Sequence, residues 1–215
     1  PGVEDSTSQL IASNTLVDEA YHIQLVVTAC RLTRQCRQLE HLKLPSFNLV
    51  KNMESEKALH AEKWKKILVQ VVTAIVSEVF VSDYLALLAH DTTIQPLNRL
   101  TVYTHFRDEK AHHTIFINLA KCIYAYLTPE QKSFFAELLP KPVRWFASME
   151  LGVWESMLQQ INYPNAEHMM KDLLPSADVN LLRIDYSKIV LLAEELGILD
   201  SEQGAECFGR LGLLN

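Results

Sequence analysis

Two short segments of this chain carry the residue types of a metal site at the spacing of a helix. Asp18-Glu19-Ala20-Tyr21-His22 and Asp108-Glu109-Lys110-Ala111-His112 both read Asp-Glu-x-x-His. On an α-helix, a Glu and a His three residues apart are neighbours on one face. Two such segments on two helices are what a carboxylate-bridged di-iron site in a helical bundle requires. Random placement of 9 Asp, 17 Glu and 8 His gives about 0.03 matches to this pattern. The chain has two, on its only two Asp-Glu dipeptides.

The chemistry follows from the donor types. Iron accepts mixed carboxylate and imidazole ligands, and two irons close together need bridging carboxylates to offset their charge. Glu19 and Glu109 are the natural bridges, His22 and His112 the terminal ligands. Asp18 and Asp108 suit a supporting place. A carboxylate that accepts the other ring N–H of a metal-bound His fixes its tautomer and raises its basicity. The expected arrangement is crossed, each Asp serving the His of the other motif.

Two further residues extend the set. Glu78 sits among Val71, Ala74, Ile75, Val81, Ser82 and Leu85 at helical spacing, where a charge is costly unless paired or metal-bound. It reads as a third carboxylate ligand, against a core Glu paired with Arg99 or Arg107. His105 lies one turn before Glu109, on the face of His112, and is favoured over His113 as a third imidazole. Thr15, Ala74, Ser82 and Asn98 are candidates to face a substrate pocket, although small residues equally permit tight helix packing.

Helices must position all of these. Periodicity predicts a helix over residues 8–39, with Leu10, Leu16, Ile23 and Val27 among its apolar positions. Pro45 marks a break, and a second helix runs from near residues 54–57 to 88. Asp91-Thr92-Thr93 is a turn. A third helix over 95–126 carries His105, Glu109 and His112. Thr128-Pro129-Glu130-Gln131 reads as an N-cap with Pro at the first helical position, opening a short helix to residue 138. Another helix over 143–161 carries Trp145 and Trp154, a packing stripe or dimer surface. Shorter helical pieces follow, broken at Pro164, Pro175, Gly197 and Gly204. The expectation is an all-α fold, one domain over 1–215.

Composition narrows the function classes. The net charge of -6 without a basic stripe argues against nucleic acid as a partner. No uncharged apolar run of 18 residues is present, so no membrane span is expected, and the first residues lack the pattern of a signal peptide. Cys30, Cys36, Cys122 and Cys207 form no Cys-x-x-Cys and read as reduced core cysteines of a cytoplasmic protein. His60-Ala61-Glu62 mimics half of a zinc deaminase motif, but no Pro-Cys-x-x-Cys follows. It reads as a solvated face at the charged start of a helix.

The order Glu-x-x-His, a lone Glu, then His-x-x-x-Glu-x-x-His resembles that of the di-iron arylamine N-oxygenases. The resemblance is carried by Leu16-Val17-Asp18-Glu19-Ala20-Tyr21-His22 and by Glu78 through His112, including the 27-residue step from Glu78 to His105. It covers roughly residues 10–160. It implies a ferritin-like helical bundle with additional C-terminal helices. It also implies a site of four Glu and three His, six of which match Glu19, His22, Glu78, His105, Glu109 and His112. The seventh, a Glu on a preceding helix, has no counterpart among the 18 residues before Glu19, and Glu4 is a weak substitute. The chain is therefore expected to be the C-terminal part of a longer protein, lacking the first bundle helix. The implied activity is monooxygenation: two iron ions and O2 oxidise a small-molecule amine, an arylamine by preference. The product is a hydroxylamine, nitroso or nitro compound of natural-product biosynthesis. An external electron donor is implied, and a homodimer is expected. The alternatives are a radical-generating di-iron subunit using Tyr21, Tyr84 or Tyr103, an iron-binding bundle, and a metal-free helical interaction protein.

Overall fold

The computed structural model of the chain describes residues 6–148, 150–177 and 185–214, so Glu4 lies outside the described residues. Among the described residues all regular structure is α-helical, in the ferritin-like all-α class. The helices are α1 (Ser6–Arg37), α2 (Asn48–Ala58), α3 (Lys63–His90), α4 (Pro96–Tyr126), α5 (Pro129–Leu138), α6 (Lys141–Ala147), α7 (Leu151–Gln160), α8 (Ala166–Ala177), α9 (Ser187–Glu195) and α10 (Glu202–Arg210). The chain divides into two compact units, residues 1–40 with 78–132 and residues 41–77 with 133–215. Helix α3 runs unbroken through the division.

The first unit holds α1, the second half of α3, and α4. Helix α1 buries Thr15, His22 and Ala29, a single stripe two turns apart at each step. The sequence pattern points elsewhere: Leu10, Leu16, Ile23 and Val27 are each at least 60% exposed. Apolar residues stand on several faces of α1, so periodicity cannot choose among them. The stripe carrying the Glu19–His22 pair is the one that packs. Helix α4 opens with Pro96 at its start and buries Thr101, Glu109, His112 and Ala120. The two helices run antiparallel, because His22 meets Asp108 while Asp18 meets His112. From α3, Val79, Phe80, Ser82, Leu85 and Ala89 are buried. His113 Nδ1 lies 3.4 Å from the Val79 carbonyl, tying α4 to α3.

The second unit is cored by α3 residues Val69, Val72, Ile75 and Val76 together with Phe135, Leu138, Ile189 and Phe208. Each such side chain contributes about 1.5–3 kcal/mol relative to exposure. Here the sequence pattern runs two pairs of helices together. The expected helix from residues 54–57 to 88 is interrupted between α2 and α3, and α2 already begins at Asn48. His60, in the break, packs its ring edge-on against Phe134 with centroids 4.9 Å apart, and its Nε2 is 3.4 Å from Glu56 Oε1. It is therefore a packed residue of a connection rather than part of a solvated helical face. The expected helix 143–161 splits into α6 and α7, which puts Trp145 and Trp154 on different helices. At the split, Glu150 Oε1 accepts from the Asn48 backbone N–H at 2.7 Å and so caps α2.

Turn chemistry was more local and more legible. Gln131 N–H donates to Thr128 Oγ1 at 3.4 Å and Gln131 Oε1 accepts from Thr128 N–H at 2.9 Å, a reciprocal capping box before Pro129. Asp91 Oδ1 accepts from the Thr93 N–H at 2.7 Å, closing the expected turn. Pro175 and Gly204 do not break helices; they lie within α8 and α10. A Cβ on Gly204 would collide with the Ile198 carbonyl oxygen, so the glycine is required by close approach. All four cysteines are free thiols, but Cys30, Cys36 and Cys122 are exposed and only Cys207 is buried. Among the described residues, α3 alone is long and apolar enough to cross a membrane, which the uncharged-run criterion does not register. Its apolar residues instead form core in each unit.

Candidate metal centre

The first unit brings the motif residues together at the α1–α4 contact. Glu19, His22, Glu109 and His112 each offer one donor atom, and these atoms all lie within 4.8 Å of one another. His22 Nδ1 is 3.1 Å from Glu109 Oε1, and His112 Nδ1 is 2.8 Å from Glu19 Oε1 and 3.2 Å from Glu109 Oε2. Glu78 joins from α3, with Oε2 3.8 Å from His112 Nδ1. His105 Nε2 is 2.7 Å from Glu109 Oε1, and its ring centroid is 4.1 Å from that of His22.

The far side of each motif imidazole is held. His22 Nε2 is 3.3 Å from Asp108 Oδ2, and His112 Nε2 is 3.4 Å from Asp18 Oδ2. Each Asp thus accepts the Nε2–H of the His on the other helix. That fixes the tautomer and leaves both Nδ1 lone pairs directed at the carboxylates.

Those inward atoms are the test of whether a cation fits. Glu19 Oε1, His22 Nδ1, Glu78 Oε2, Glu109 Oε2 and His112 Nδ1 are all buried without a hydrogen-bond partner. Buried polar atoms left unpaired are costly and rare. Here the unpaired lone pairs converge on one another, from a donor set of carboxylate oxygens and imidazole nitrogens that suits iron.

The electrostatics agree. Burial, then the Glu109 and Glu19 charges and a hydrogen bond with Glu109, push the Glu78 carboxyl up to about 9. Burial works in the same direction on Glu109, but the His105 hydrogen bond and the His112 charge outweigh it and hold Glu109 below the usual value. Carboxylates sharing a buried site cannot all stay ionised without a positive charge among them.

The remaining sequence candidates separate. Thr15 and Ser82 are buried in this unit, while Ala74 and Asn98 are exposed. Ala74 belongs to the other unit. The ionisable neighbours of Glu78 are Glu109, Glu19 and His112, not an arginine. Tyr21, Tyr84 and Tyr103 are all substantially exposed. Thr15, a pocket candidate of the sequence, lines a cavity whose other walls, Ile11, Phe116 and Leu119 among others, the sequence reading did not name. Isoleucine, phenylalanine and leucine at helical spacing read as packing, so no signal in the sequence marked those walls.

The sequence matches the family model described as p-aminobenzoate N-oxygenase AurF over residues 1–197. The chain belongs to this family. A similar protein is the 4-aminobenzoate N-oxygenase of Streptomyces thioluteus, 29% identical over 202 residues, 94% of this chain and 60% of the relative. The chain thus spans about 60% of the length of that relative. Every residue of the cluster falls inside the stretch matched by the AurF family.

Proposed function

We propose that this AurF-family chain holds two iron ions and takes part in the O2-dependent oxidation of an arylamine nitrogen, with electrons from an external donor. The observation that carries the reading is the convergence of buried, unpartnered carboxylate oxygens and Nδ1 atoms within one helix pair. Glu19, His22, Glu78, His105, Glu109 and His112 would hold the metals. When bound, iron supplies the activation of O2, which no amino-acid side chain can perform.

The chain's own residues do the rest. Asp18 and Asp108 keep the Nε2 protons in place, so each imidazole presents a lone pair. His105 Nε2 stands 2.7 Å from Glu109 Oε1, beside the carboxylate that both motif histidines approach. His22, Glu109 and His112 are each no more than 2% exposed, which excludes water from the donor atoms. A dry site strengthens every charge interaction within it. A homodimer completes the proposal, to be checked by sedimentation of the iron-loaded protein.

The deciding experiment loads the protein anaerobically with Fe(II), counts retained iron, then adds reductant, labelled O2 and a panel of aryl- and alkylamines. Mass spectrometry should find labelled oxygen on an arylamine nitrogen. Retained iron without oxygen transfer points to the iron-binding alternative, and failure to retain iron sinks the metal site.

A further inference from the structure

Five of the chain's eight arginines gather toward one end of the α1–α4 pair. The two helices run antiparallel, with His22 opposite Asp108. Arg31 lies nine residues beyond His22, and Arg99 nine residues before Asp108. At 1.5 Å per residue the two stand level, about 14 Å along the pair from that contact. Arg34 and Arg37 follow on α1, and Arg107 adjoins Asp108 on α4. Against these five, residues 23–40 and 84–107 hold only two acids, Glu40 and Asp91. This end is therefore net positive in a chain of net charge -6. The sequence shows no basic stripe because only the fold brings the two sets of arginines together.

Arg34 has a structural task. Its guanidinium donates to the Leu39 carbonyl at 3.3 Å and to the Glu40 carbonyl, closing the end of α1. Arg37 suits the last turn of a helix, where the backbone dipole favours a cation. Arg99 stands in the first turn of α4, where the dipole disfavours a cation, and that turn carries no acid. Among the described residues Arg31, Arg37, Arg99 and Arg107 make no hydrogen bond or ion pair. Arg31, Arg37 and Arg107 are exposed, and so are Leu100 and Tyr103 on α4. Arginine and tyrosine beside exposed apolar carbon are the composition of a contact surface, from which lysine is depleted. Residues 23–40 and 84–107 contain no lysine.

We propose that this arginine end docks a small acidic electron-carrier protein. The proposal rests on the oxygenase reading for the need of a donor, and on the arginines for the donor's charge and place. Electron transfer falls steeply with distance, and Arg107 is next to Asp108, whose carboxylate meets His22. A carrier seated on Arg107 and Arg31 is thus brought to the His22 end of the ligand cluster. The remainder of the chain is acidic and repels such a partner, so attraction is confined to this end and fixes the orientation of docking. A long polyanion would also have to cross the acidic remainder, which favours a compact acidic protein over nucleic acid.

The probe is an oxidised, acidic 2Fe–2S ferredoxin. Its binding to the full chain is measured by calorimetric titration, both iron-free and after iron loading, in about 20 mM and about 300 mM salt. The expected result is binding at low salt that weakens at least about tenfold at high salt. Arg31→Glu combined with Arg107→Glu should weaken binding at low salt by at least about tenfold. Lys121→Glu combined with Lys132→Glu makes the same change in net charge beyond the other side of the cluster, and should leave affinity within about twofold. Circular dichroism verifies the fold of both variants. No ferredoxin binding at low salt overturns the proposal, and so does an equal loss of affinity in the lysine pair. Tighter binding of a DNA duplex or of phosphatidylserine vesicles through the same arginines overturns the choice of partner. The oxygenase reading fails separately, through absent iron or absent oxygen transfer, and the iron-free titration reads the docking surface in either case.

Discussion

Asp18 and Asp108 hold the imidazoles of the opposite helix, yet each is itself about half exposed. Their effect should therefore appear in metal affinity more than in folding. Asp108→Asn is expected to weaken Fe(II) or Co(II) binding by about 10–100-fold, the usual consequence of losing a carboxylate behind a ligand His. Calorimetric titration measures it, and an unchanged affinity would falsify the role given to the pair. Glu109→Gln should be more damaging, because Glu109 is near both motif Nδ1 atoms and accepts from His105. Loss of stoichiometric binding is expected, read in the same titration. The proximity of these residues was legible in the sequence because helical spacing fixes which side chains share a face. Glu78 was legible as a charge within an apolar stretch. Thr15 was selected only for its place near a motif, and the donation of its hydroxyl to the Ile11 carbonyl at 3.0 Å could not be read without the helix in place.

At the scale of elements, long helices were legible and their interruptions were not. The ends of α4 and the start of α5 follow from Pro96, Thr128 and Pro129, whose effects are local. The α2–α3 and α6–α7 breaks depend on Phe134 meeting His60 and Glu150 meeting Asn48, contacts 74 and 102 residues apart in sequence. No local pattern encodes them. Thr128→Ala should cost about 1 kcal/mol by removing half of the capping box, a fall in melting temperature of about 2–4 °C for a chain of this size. Gly204→Ala should cost about 1–3 kcal/mol in urea unfolding, since the new methyl meets backbone rather than a movable side chain. Lys141 is 2.8 Å from the nearly buried Glu56 and 3.2 Å from Glu137. Burial alone would lower its pKa, but Glu56 and Glu137 raise it above the ordinary 10.5. Its stabilising contribution is thus complete below pH 10.5 and lost as pH rises through the higher folded value. Lys141→Met should cost about 1 kcal/mol at pH 7, with the deficit shrinking above that point in pH-dependent melts.

The whole molecule separates its chemistry from much of its core. Every proposed ligand belongs to one unit, while α9 and α10 lie in the other. Metal bound only to the folded state stabilises it by about 2.7 kcal/mol at one hundred times its dissociation constant. Chelation should therefore lower the melting temperature. Hydrogen exchange should localise the change, with amides of α1 and α4 exchanging faster while α9 and α10 stay as they were. Uniform acceleration through all four helices would contradict that division. The outer faces of α1, with Leu16, Val17 and Ile23 about two-thirds exposed, make it the helix with most to gain from ordering at the centre.

The two motifs also impose a symmetry. Antiparallel helices carrying the same Asp-Glu-x-x-His are related by a local two-fold axis, which exchanges Glu19 with Glu109 and each Asp–His pair with the other. The axis carries His105, four residues before Glu109, onto Thr15, four residues before Glu19. Identical frames thus end in an imidazole on one side and in a hydroxyl with open space on the other. The two halves of the ligand cluster are made unlike by that one exchange and by Glu78, so direction is written into a site whose scaffold has none. Thr15→His would restore the symmetry, and the side of the centre open to a ligand would close.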